Sequence, residues 1–98
     1  MKPLDIIKHY GYSNQLKHLS GEVYELQEAI IEYEANKLSK DDLYHIAEEI
    51  ADVELLLHQL RDYYSIPGET ITRIRIMKLE RISKRVKEEN INAKEESK

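Results

Sequence analysis

Apolar residues recur along this chain at alternating intervals of three and four, the spacing that gathers side chains on one face of an α-helix. Over residues 14–36 the track is Leu16, Leu19, Val23, Leu26 and Ile30. Over 40–63 it is Ile46, Ile50, Val53, Leu57 and Leu60, with Leu43, Leu55 and Leu56 widening the apolar surface, so this helix should be the most buried. Over 69–89 it is Ile71, Ile74, Met77 (or Ile76), Leu79, Ile82 and Val86. A short helix over 3–10 precedes them, with Pro3 near its start and Gly11 at its end. Ser13 is positioned to cap the second helix, and Ser39 with Asp42 resembles a capping box for the third. Pro67, in the turn Ser65-Ile66-Pro67-Gly68, can open the fourth. No strand-like alternation and no internal repeat interrupts the pattern. The expectation is an all-α chain: an antiparallel helical hairpin with flanking helices, one domain over 1–89, and a polar, disordered tail over 90–98.

At 98 residues such a domain lies near the lower limit for an independent core, so a homodimer or homotetramer that completes a four-helix core is expected. The absence of cysteine removes disulfides and thiolate metal sites. No run approaches a signal peptide or a membrane span, which predicts a soluble, cytoplasmic protein without membrane contact.

The net charge of −4 conceals a segregation. From Glu22 to Glu54 the acids are opposed only by Lys37 and Lys40, and from Arg73 to Lys87 the bases are opposed only by Glu80. Attraction between two helices accounts for this, and so does a metal-bound polyphosphate, with carboxylates for the cation and Lys or Arg for the remaining phosphate oxygens. Two acidic pairs sharpen the second possibility: Glu22-x-x-Glu25 and Glu49-x-x-Asp52. On a helical wheel they fall to one side of their apolar tracks, at about 70° and 130° in one helix and about 60° and 120° in the other. The rotational sense is the same, so antiparallel packing turns both toward one edge of one interface. With the turn near residue 38, Glu22 stands level with Asp52 and Glu25 with Glu49. Four carboxylates at one level repel one another unless a cation or protons neutralise them.

The strings Gln15-Leu16-Lys17-His18-Leu19-Ser20-Gly21-Glu22-Val23-Tyr24-Glu25-Leu26 and Glu48-Glu49-Ile50-Ala51-Asp52-Val53 resemble the MazG-like branch of the all-α NTP pyrophosphohydrolases, over roughly residues 8–86. That family carries E-x-x-E, a variable gap and E-x-x-D. Gly21 departs from the pattern, since the family commonly has a second Glu there. The resemblance implies Mg²⁺, with Mn²⁺ as a substitute, held by Glu22, Glu25, Glu49 and Asp52. It also implies hydrolysis of a nucleoside triphosphate to a monophosphate and pyrophosphate, as nucleotide-pool clearance or housekeeping. Glu25 and Glu49 would be catalytic, Glu25 as the residue that positions water. Lys78, Arg81 and Arg85 would contact phosphate, and Gln15 a base or sugar.

Two other classes compete. A di-iron carboxylate bundle requires repeated Glu-x-x-His, and only Asp42-x-x-His45 approaches it. A non-catalytic helical module that binds nucleotide or protein explains the amphipathic helices but not the level-matched acids. His45 and Glu49, four apart, are expected to pair, and Tyr24, Tyr33, Tyr44, Tyr63 and Tyr64 to pack. The basic fourth helix has the apolar positions of a core helix, and the acidic midsection opposes a polyanion, so nucleic acid is not an expected partner.

Overall fold

Glycine at position 11 lets the chain change direction between its first two helices. Its φ of 93° and ψ of 148° lie where a side chain is strained, and its amide donates to the Ile7 carbonyl at 2.8 Å as the first helix closes. A computed structural model describes residues 1–36 and 39–97 as four helices: α1 (Pro3–Tyr10), α2 (Tyr12–Ala35), α3 (Lys40–Tyr63) and α4 (Gly68–Glu96). The all-α class is as expected, and the helix boundaries of α1 and α3 coincide with those read from the sequence. Lys37 and Leu38, the centre of the expected turn, lie outside the described residues.

Three local details differ. Ser13 falls inside the first turn of α2 and does not cap it; Gly11 occupies the cap position. Ser39 stands at the N-cap of α3 without a side-chain bond, and the Asp42 carboxylate, the other half of the expected capping box, accepts instead from the Asn36 side-chain amide at 3.0 Å. That bond ties the end of α2 to the start of α3. The polar stretch after Glu89 continues α4 to Glu96 instead of fraying, since Ala93, Lys94 and Glu95 favour helix and no Gly or Pro stops it.

The chain divides into two compact units, Met1–Ser65 and Ile66–Lys98. In the first, α3 packs against both α1 and α2. The hairpin of α2 and α3 is antiparallel: Asn36 meets Asp42 at one end, while at the other the Tyr12 ring stacks on Tyr63 with centroids 4.8 Å apart. Tyr12 and Tyr64 join hydroxyls there, so these tyrosines pack on one another, as expected for Tyr63 and Tyr64. The apolar core consists of Ile7, Ala29 and Leu56.

The buried track is the predicted one only in part: Leu19, Leu26, Ile46, Val53 and Leu60 are covered as expected, and the other predicted seam residues are not. Along the seam the covered positions of α2 include Tyr12, Gln15, Leu19, Glu22, Leu26, Ala29 and Tyr33, and those of α3 include Asp42, Ile46, Glu49, Val53, Leu56, Gln59 and Leu60. Both helices are rotated so that acidic residues enter the seam and the expected seam residues Leu16, Val23, Ile30, Ile50 and Leu57 remain exposed. Each helix carries two adjacent apolar stripes, and one wheel averages them into a single direction. Gly21 is exposed, and a Cβ there would meet nothing within 4 Å. No close packing requires this glycine. Gly21→Ala should therefore raise stability by about 1 kcal/mol, measured by urea unfolding, because alanine loses less backbone entropy in a helix.

The second unit is α4, in which no residue is buried. Ile74, Ile76, Met77, Leu79, Ile82, Val86 and Ile91 are all exposed. No helix among the described residues is long and apolar enough to cross a membrane.

Candidate metal centre

The inward rotation of α2 and α3 places Glu22 and Glu49 in the seam itself rather than at its edge. Glu22, Glu25 and Glu49 each offer a carboxylate oxygen, and the three atoms lie within 4.8 Å of one another. Asp52, expected as the fourth member, stands outside this trio and is exposed, though near enough for its charge to act on Glu22. Carboxylates from two antiparallel helices do meet, Glu22 and Glu25 from α2 and Glu49 from α3, but Glu22 lies against Glu49 and not, as the height match predicted, against Asp52.

The interior of the site is poor in donors. Glu49 is 8% exposed, and its Oε2 has no hydrogen-bond partner; Glu22 Oε2 is buried and likewise unpartnered. Leaving a buried acceptor unsatisfied costs roughly 1–3 kcal/mol, and more when it is charged. Burial pushes the Glu22 carboxyl from 4.5 up to about 7, reinforced by the Glu49 carboxyl beside it and by the charges of Glu25 and Asp52, while a bond from His18 acts in the opposite direction. In the absence of a cation, a proton on Glu22 partly relieves the repulsion.

On the outer side, each central carboxylate is bonded to a histidine one turn earlier. His45 Nε2 lies 3.2 Å from Glu49 Oε1, the expected pair. His18 Nε2 lies 3.0 Å from Glu22 Oε1, a pair the apolar periodicity did not point to. The signal was present as a short repeat, His18-x-x-x-Glu22-x-x-Glu25 and His45-x-x-x-Glu49-x-x-Asp52, contrary to the expectation of no repetition. A second overlooked residue is Gln59. Gln15, expected at a base or sugar, is buried in the seam and donates through Nε2 to Gln59 Oε1 at 2.7 Å.

Lys78, Arg81 and Arg85 belong to the second unit, where they are exposed and follow one another at intervals of three and four along α4. Among the described residues no potential metal cluster includes a histidine, so the donor set of a di-iron carboxylate bundle is not assembled.

The donors of the trio are all carboxylate oxygens, which suit hard cations such as Mg²⁺, Mn²⁺ or Ca²⁺. One oxygen each of Glu22 and Glu49 is buried without a partner, a cost that a bound cation would relieve. Comparisons with family models, with curated proteins and with solved structures return no match.

Proposed function

We propose that the protein is a Mg²⁺-dependent hydrolase that cleaves nucleoside triphosphates between the α- and β-phosphates, releasing pyrophosphate. One observation carries most of the weight: two unpartnered, buried carboxylate oxygens on facing helices, joined by a third carboxylate within 4.8 Å. The two motif strings that resemble the MazG-like pyrophosphohydrolases contain these three residues and Asp52. Glu22, Glu25 and Glu49 would hold the ion, with Asp52 adding its charge beside them. Mg²⁺, or Mn²⁺ in its place, would screen the polyphosphate and lower the cost of forming a hydroxide nucleophile. Glu25 is the exposed member of the trio, so it is the carboxylate with access to water. It would orient that water and take its proton as the anhydride bond breaks. The buried Glu49 would be fixed in place by α3 and His45. Lys78, Arg81 and Arg85 are the residues to which the resemblance gives the phosphate contacts, whereas Gln15 is buried and satisfied by Gln59, which leaves a base or sugar without an assigned contact. A cytoplasmic setting, where such nucleotides occur with Mg²⁺, accords with this activity.

The test is a panel of NTPs and dNTPs with Mg²⁺, assayed separately for pyrophosphate and orthophosphate. Pyrophosphate release that vanishes in Glu49→Gln is expected. Its absence for every substrate would leave the alternative, a helical module that binds nucleotide or protein without hydrolysis.

We also propose that the working unit is a dimer built on the hairpin, or a tetramer assembled from such dimers. Leu16, Val23 and Ile30 on α2 and Leu43, Ile50 and Leu57 on α3 are 37–51% exposed and recur every seven residues. In the antiparallel hairpin Leu16 stands level with Leu57, Val23 with Ile50 and Ile30 with Leu43. The six form an uncharged ladder on one edge, suited by its length and regularity to a second copy of itself across a two-fold axis. Val23→Asp with Ile50→Asp should convert a dimer to monomer in sedimentation equilibrium. A wild type that is monomeric at high concentration would remove this proposal.

A further inference from the structure

We propose that His18 and His45 are positioning residues for the carboxylate site, each holding one carboxylate oxygen so that the other faces the ion. The inference rests on the cation site proposed above and adds to it the groups that orient it. His18 Nε2 engages Glu22 Oε1 at 3.0 Å, and His45 Nε2 engages Glu49 Oε1 at 3.2 Å. In both carboxylates the oxygen left over, Oε2, is the buried one without a partner. The same division of labour therefore occurs twice, on two helices, at the same sequence interval.

The geometry follows from the helix. A residue four positions earlier lies one turn toward the N-terminus on the same face, within reach of the carboxylate. The histidine side chains are 55% and 46% exposed, against 13% and 10% for Glu22 and Glu49, so each ring reaches inward from the solvent side. A carboxylate accepts only, so the contact is made by an Nε2–H donating to Oε1. That bond fixes rotation about the last side-chain torsion and leaves Oε2 as the buried oxygen without a partner. Groups that orient a ligand in this way commonly contribute about 10- to 100-fold in metal affinity. An exposed pair at this spacing adds little to folding, so a merely structural pair and a positioning pair make different predictions.

The experiment is a calorimetric titration of Mn²⁺ into four metal-free proteins: wild type, His18→Ala/His45→Ala, His18→Gln/His45→Gln, and Glu49→Gln. Thermal melts without metal accompany each titration. Alanine at both positions is expected to weaken Mn²⁺ binding by about 10- to 100-fold while leaving the metal-free melting temperature nearly unchanged. Glutamine, which retains an N–H donor, is expected to recover most of the affinity. Wild-type affinity in the alanine variant, alongside lost binding in Glu49→Gln, would overturn the positioning role and leave the cation site intact. Equal losses in the alanine and glutamine variants would overturn orientation by an N–H donor. A wild type that binds no Mn²⁺ would overturn the cation site and this inference with it.

Discussion

Between about pH 5 and about pH 8, in buffer free of divalent cations, the protein should lose stability as the pH rises. The sign follows from Glu22. Its carboxyl is held at about 7 in the folded chain, against an ordinary value of 4.5, first by burial and then by the Glu49 carboxyl and the other neighbouring acids. The folded state keeps a proton that the unfolded state has released. The resulting stability is fully present below about pH 4.5 and is lost as pH rises through about 7. Urea unfolding across this range measures the slope. Mg²⁺ should reverse the loss at the upper end, because a cation that binds only the folded state adds stability with concentration. Its affinity should itself increase with pH, since ion and proton compete for the same oxygens. A flat pH profile that Mg²⁺ leaves unmoved would show that these carboxylates are neither strained nor neutralised by metal.

The second large effect is expected from Glu22→Gln, in which stability and function move in opposite directions. The amide is neutral and can donate to Glu49, so the metal-free variant should be more stable than wild type at pH 8 and should lose the pH slope. If the proposed activity holds, pyrophosphate release should fall by more than about 100-fold, since Glu22 would be a direct ligand and its removal exceeds the loss typical of an orienting neighbour. Unfolding curves at two pH values and a steady-state assay test both halves. A variant less stable than wild type and still active would mean that Glu22 contributes to folding and not to a site.

The helices were legible because their apolar intervals, Gly11 and Pro67 are local signals that the fold obeys. The meeting of acids from α2 and α3 was legible too, since a short connection sets the register of an antiparallel pair, although Glu22 lies against Glu49 and not Asp52. What could not be read was the rotation of α2 and α3 about their own axes. Leu16, Val23 and Ile30 are as apolar as Leu19 and Leu26, so composition does not say which stripe meets α3 and which stays outside. Glu22 and Glu49 decide it in the fold by entering the seam, a choice that hydrophobic burial alone opposes. Ser13 and Ser39 show the same limit on a smaller scale: either could cap, but Gly11 supplies the turn and Asn36 takes Asp42. The pairing of His18 with Glu22 was within reach, because the spacing repeats that of His45 and Glu49. The exposed apolar face of α4 was not, because its track is that of a helix with a partner and names no partner.

A direct titration of Mg²⁺ into metal-free protein near pH 8, by calorimetry with Glu49→Gln as control, tests the cation site most plainly. Saturable binding in wild type and none in the variant is predicted. Equal binding in both proteins, or none in either, would contradict it.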